Sequence, residues 1–248
     1  MTSTEVRSNR SYPSQTLPVR RHDHLFFSVM ALLLLANVFI GFAPTYYLAG
    51  ILHAPLPSRT IHVHAAIFSA WMLVFGAQVS LVSAHRVDLH RRLGIVGFLL
   101  ACAMTISALL AAADALVRSV AGGLGDTLFI VNVSMAVVFA VFMAFAYSMR
   151  SDPPAHKRLI VVANIGLMFA PLIRWPIPLL YHNMGAATRA SYAFLLPIVL
   201  YDLWSMRKVH RVTLWSSAFL VFLFEVRFLV AKTIAWHAIA VWIRSKAA

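Results

Sequence analysis

Uninterrupted apolar runs of about 18 residues or more recur along this chain, each closed by a short polar segment. A run of that length matches ~30 Å of hydrocarbon crossed by a helix that rises ~1.5 Å per residue. Backbone polar groups inside a bilayer must be satisfied within each segment, and helices do this. The alternating pattern of a membrane β-barrel is absent. Of 248 residues, 61% are hydrophobic and 12% charged, whereas a soluble domain carries roughly a quarter charged residues. The expectation is an all-α polytopic transmembrane helical bundle.

Candidate spans fall at 25–48, 61–84, 93–117, 127–149, 158–181, 190–206 and 212–235, seven helices in all. Lys and Arg concentrate on one side: Arg20 and Arg21, then Arg86, Arg91 and Arg92, then Arg150, Lys157 and Arg158, then Arg207, Lys208 and Arg211. The positive-inside rule makes that side, and the N-terminus, cytoplasmic. Residues 1–22 are expected as a disordered cytoplasmic tail, 23–243 as a single transmembrane domain and 244–248 as a C-terminal tail. Seven spans put the C-terminus outside; alternatively 235–243 lies along the interface or turns back. The net charge of +13 comes in short clusters between apolar runs, which fits membrane orientation and excludes a nucleic-acid patch. The expected partners are therefore the lipid bilayer and, for a redox role, a redox partner or respiratory complex. The lone Cys102 permits neither a disulfide framework nor a thiolate metal site. Gly122 to Gly125 follows no strand and reads as a turn, so a nucleotide cofactor is not indicated.

His64, Trp71, Gln78 and His85 recur every seventh residue of the second span and line one stripe. A Gln at mid-membrane avoids lipid, so this stripe points into the bundle, to a cofactor or to an inter-helix hydrogen bond. Arg174 and Glu225 reach similar depth and are expected to pair, with Trp71 and Gln78 completing a polar intramembrane pocket. Pro171, Pro176 and Pro178 bracket Arg174 and predict a break there, with His182 just beyond. Asp202, near a helix end, reads as a lone interfacial carboxylate. Eleven histidines occur, and imidazole ligates both metals and haem. Leu89-His90-Arg91-Arg92-Leu93 and Ala155-His156-Lys157-Arg158-Leu159 repeat one entry motif, setting His90 and His156 at similar depth. His64 and His182 are the corresponding pair at the outer face.

At Ile61-His62-Val63-His64, Trp71, Gln78, Leu89 to Gly94 and His156 to Leu159, the chain resembles a group of uncharacterised bacterial multi-pass proteins. Its His-rich hairpins are distantly similar to the cytochrome b561-like families. The resemblance implies b-type haem and electron transfer or respiratory-complex assembly, with His90 and His156 carried over. Two other readings stay open. One is a small-molecule carrier or receptor using the polar pocket, and the other a metal-dependent membrane hydrolase drawing on Asp114, Asp126 or Glu225.

Overall fold

The computed structural model describes residues 21–55, 57–121 and 123–247, and every regular element among them is helical. Ten α-helices follow in chain order: α1 (Arg21–Phe42), α2 (Arg59–Ser83), α3 (Val87–Val117), α4 (Leu124–Ser148) and α5 (Pro153–Ile165), then α6 (Phe169–Leu172), α7 (Met184–Tyr192), α8 (Leu195–Met206), α9 (Arg211–Val230) and α10 (Ile234–Ala247). A π-helical turn, Ala43–Tyr47, extends α1. Six segments are long and apolar enough to cross a membrane: His22–Tyr47, α2, α3, α4, Pro153–Leu172 and α9. The chain is a multi-pass membrane protein in which lipid covers the outside.

Residue spacing fixes which faces turn inward. On α1, Phe27, Met30, Ala31, Leu34 and Val38 fall on one helical stripe and are buried. Leu25, Leu32, Leu33, Phe39 and Ile40 lie outside that stripe and are exposed, an arrangement that water penalises and acyl chains welcome. Pro153–Leu172 is the central span: 78% of its apolar window is buried, against 22% for α2 at the periphery. Helix starts carry their own signals. Ser58, Asp152 and Asn183 accept hydrogen bonds from the backbone N–H groups of Ile61, Ala155 and Ala186, satisfying donors that helix geometry leaves orphaned.

Prolines and a threonine account for three departures from the expected spans. Pro171 lacks an N–H and its ring conflicts with the carbonyl four residues earlier, at Leu167. The expected fifth span therefore parts between α5 and α6, about two turns before Arg174, where the break was expected. Pro197 acts likewise on Ala193, and the expected sixth span is divided into α7 and α8, neither long enough alone to cross. The expected last span stops at Val230, because the Thr233 hydroxyl accepts from the Trp236 N–H and opens α10. Instead of leaving the bundle, α10 lies across the ends of α3 and α4, where Ala240 packs among Ala112, Leu116 and Phe129. Residues 244–247 continue α10 and form no separate tail; of the expected N-terminal tail, only Arg21 and His22 are described, and both are helical.

The helix ends rich in Lys and Arg gather at one end of the bundle, called here the basic end. There Lys157 pairs with Asp23 at 2.7 Å, and the Tyr201 hydroxyl donates to the same carboxylate. Arg158 and Asp202 form a buried ion pair at 2.5 Å, with Asp202 also accepting from the His210 N–H and the Thr213 hydroxyl. Asp202 is thus not a lone interfacial carboxylate: α5 and the start of α9 close over it and supply four donors.

Candidate functional site

At the end opposite the basic one, the helices do not close on one another. Ala108, Ala111, Ala112 and Ala115 give α3 a face too small to fill the space between α2, α4 and α6. The result is a cavity of about 550 Å³, within the ~300–1,000 Å³ usual for ligand sites. Its walls are apolar for the most part, with Phe68, Met104 and Phe139 among them. Polar groups enter at a few points: Arg174, His64, His182, Asn132 and the tyrosines of the π-turn.

Chain geometry places these groups. Pro176 and Pro178 end regular structure after α6, and the backbone N–H of His182 returns to the Ile173 carbonyl at 3.1 Å. That closed loop brings His182 beside Arg174, with φ at His182 of 55°. One Arg174 nitrogen donates to the Ala170 carbonyl at 2.5 Å, and the guanidinium lies 4.9 Å from the Phe42 ring centroid. On the facing wall, His64 Nδ1 is 3.1 Å from the Ser107 hydroxyl, which itself donates to the Met104 carbonyl. With the hydroxyl proton so committed, the serine oxygen accepts and His64 Nδ1 carries the hydrogen. Nε2 is left with its lone pair, so His64 serves as an acceptor. Among the lining residues Arg174 is the one permanently charged side chain, and no carboxylate is present.

The expected pairing of Arg174 with Glu225 does not occur. Glu225 accepts from the Tyr192 hydroxyl at 2.7 Å and lies outside the cavity lining. The break at Leu167 moves Arg174 off the helical register on which the equal-depth argument relied. Trp71 and Gln78 point into the bundle as their spacing predicts, but neither lines the cavity. The Trp71 indole donates to Asn164 Oδ1 at 3.0 Å and meets Phe139 edge-on. Gln78 packs over Gly94 and Gly97 of α3, its Oε1 buried without a partner. His62 turns away from His64 toward Tyr46, as two residues apart on a helix should.

Of the two expected histidine pairs, only His90 and His156 are in ring contact. His64 and His182 share the cavity. At the basic end, the rings of His90 and His156 meet edge to face with centroids 6.4 Å apart. His156 Nδ1 bonds the Ala146 carbonyl at 2.8 Å, while His90 Nδ1 is buried with no partner. Among the described residues no group of three or more His, Cys, Asp or Glu is placed to hold a metal ion.

Two functional features escape sequence reading. The alanine spacing on α3 signals a void only once its neighbours are known. Arg227, near the end of the last expected span, is 2% exposed and enclosed by aromatic rings. No family model, curated protein or solved structure matches the chain.

Proposed function

We propose that the protein binds an amphipathic small molecule bearing a single anionic group, as a carrier or receptor, with its headgroup at Arg174 and its apolar body in the cavity. The observation that carries this reading is the Arg174 guanidinium, a permanent cation on the wall of an apolar cavity that has no acidic lining residue. Arg174 lies two residues past the Pro153–Leu172 span, at the edge of the apolar region, where the charged head of an amphiphile would sit while its tail enters the cavity. Arg suits a carboxylate because its planar donors match two oxygens at once. His64 Nε2 adds an acceptor for a neutral hydroxyl of the ligand. In this reading the basic end is cytoplasmic, α7 and α8 together make a seventh, broken crossing, and the cavity opens on the far side of a bacterial plasma membrane.

The test compares a long-chain carboxylate with the alcohol of equal length, bound to the protein in lipid nanodiscs. Wild type should prefer the carboxylate, and Arg174→Gln should weaken it about tenfold or more while sparing the alcohol. Equal affinity of wild type for the two compounds overturns the reading.

A second reading rests on His90 and His156. His90 and His156 would hold the iron of a b-type haem, a reading supported by their ring contact and by the His156 Nδ1 bond to the Ala146 carbonyl, which leaves Nε2 free. The haem would supply one-electron chemistry, and the two imidazoles would hold and tune it. An absorption spectrum of protein expressed with ample haem decides: a Soret band lost in His156→Ala supports it, and a colourless wild type sinks it.

A further inference from the structure

Behind one wall of the cavity lies a second cation. Arg227, 2% exposed, has its guanidinium 4.0 Å from the Phe224 ring centroid, 5.0 Å from Phe169 and 5.1 Å from Phe228. Its terminal nitrogens donate to the hydroxyls of Thr188 at 2.8 Å and Ser134 at 3.4 Å, and its Nε has no partner. Among the described residues no carboxylate lies within ion-pair distance of it; Glu225, two positions earlier, is engaged by Tyr192. A buried guanidinium whose hydrogen-bond partners are two neutral hydroxyls, with three rings around it and Glu225 acting only from beyond ion-pair distance, retains much of its desolvation penalty. An anion would offset it.

We infer that Arg227, with Thr188, is an internal binding site for a small, weakly hydrated monovalent anion of the chloride class. The donor set fits that class. The guanidinium retains an unused N–H at Nε, and the Thr188 hydroxyl, which accepts from Arg227, keeps its own proton to donate. Ser134 already spends its proton on the Val131 carbonyl and contributes only as a fixed acceptor. A multivalent oxyanion needs more donors than these, and a bulky ligand cannot pass the three rings. Entry is from the outer cavity, because Phe169 belongs both to its lining and to the cage around Arg227. The site is independent of the anionic amphiphile proposed for Arg174.

The experiment follows the chloride NMR linewidth in the presence of the full chain in detergent, over a chloride titration at constant ionic strength set with gluconate. Wild type should give saturable excess broadening. Arg174→Gln should retain it, Arg227→Gln should abolish it, and Thr188→Val, the milder variant in case Arg227→Gln does not fold, should weaken chloride about tenfold. Absence of saturable broadening in wild type overturns the proposal, as does broadening that persists unchanged in folded Arg227→Gln or in Thr188→Val.

Discussion

Asp126 and Arg244, 118 residues apart in sequence, meet at 2.6 Å where α10 crosses the start of α4. Asp126 is buried, and His237 and the Trp236 indole approach its carboxylate and its backbone carbonyl. This contact holds α10 over Ser119 and Gly125, which line the cavity.

Replacing Asp126 with Asn should therefore loosen α10. Ala240, fully buried under it, reports the change as Ala240→Cys in a Cys102→Ala background. Labelling by a water-soluble maleimide is expected to be slow with Asp126 present and about tenfold faster or more in Asp126→Asn, as local opening becomes more frequent. Equal labelling rates would show that apolar packing alone holds α10.

Breaking the Arg158–Asp202 pair should be costly, because each partner leaves a buried charge behind; side-chain exposure is 3% and 0%. Arg158→Met and Asp202→Asn are each expected to lose ~3–5 kcal/mol. The double variant should lose less than the sum, since neither charge is then stranded. Reversible unfolding in mixed micelles measures all three.

A methyl group at Gly41 has nowhere to go. Its Cβ would overlap the carbonyl oxygen and Cα of Pro171, backbone atoms that cannot swing aside. Gly41→Ala should cost ~1–3 kcal/mol as α1 is pushed from α6, and should weaken carboxylate binding by displacing Phe42 from Arg174. Gly76→Ala, whose Cβ would meet only the flexible end of Leu35 at 3.3 Å, is the near-neutral control. Thermal unfolding separates the two.

His210 makes stability depend on pH. Its Nδ1 accepts from the Val212 N–H to cap α9, which requires the neutral ring, and burial together with the neighbouring Arg158 lowers its pKa below the ordinary 6.5. Folding favours the deprotonated form, so the contribution is complete above pH 6.5 and fades as pH falls through the lowered folded value. His210→Asn keeps a capping acceptor that does not titrate. Wild type should lose stability between pH 7 and 5 relative to this variant, by about 1 kcal/mol or less; parallel curves would remove His210 from the account.

Long-range apolar content made the helical membrane fold readable from sequence, because length and hydropathy act locally and no packing detail is needed. The inward stripe of His64, Trp71 and Gln78 was legible for the same reason, since period alone sets it, whereas His85, expected to continue it, lies past the end of α2 and is exposed. Pro171 signalled a break, but where it falls depends on a carbonyl four residues earlier, and this moved Arg174 away from Glu225; the break before Pro197 was not expected. Partners chosen across the bundle were not legible. Asp202 and Arg227 look alike in sequence as polar residues near span ends, yet one meets four donors and the other two hydroxyls and three rings.

The buried pair at the basic end also sets an order of assembly. Arg158 enters with Pro153–Leu172, whose mean hydropathy of 1.2 is the lowest of the six spans. Its carboxylate partner lies 44 residues later, roughly 2 to 9 seconds of synthesis at ~5–20 residues per second. Until α8 emerges, this span must be held at the translocon or let its guanidinium reach the headgroups. Arrival of Asp202 then draws the central span into place, so the middle of the bundle is finished after the helices that surround it on one side.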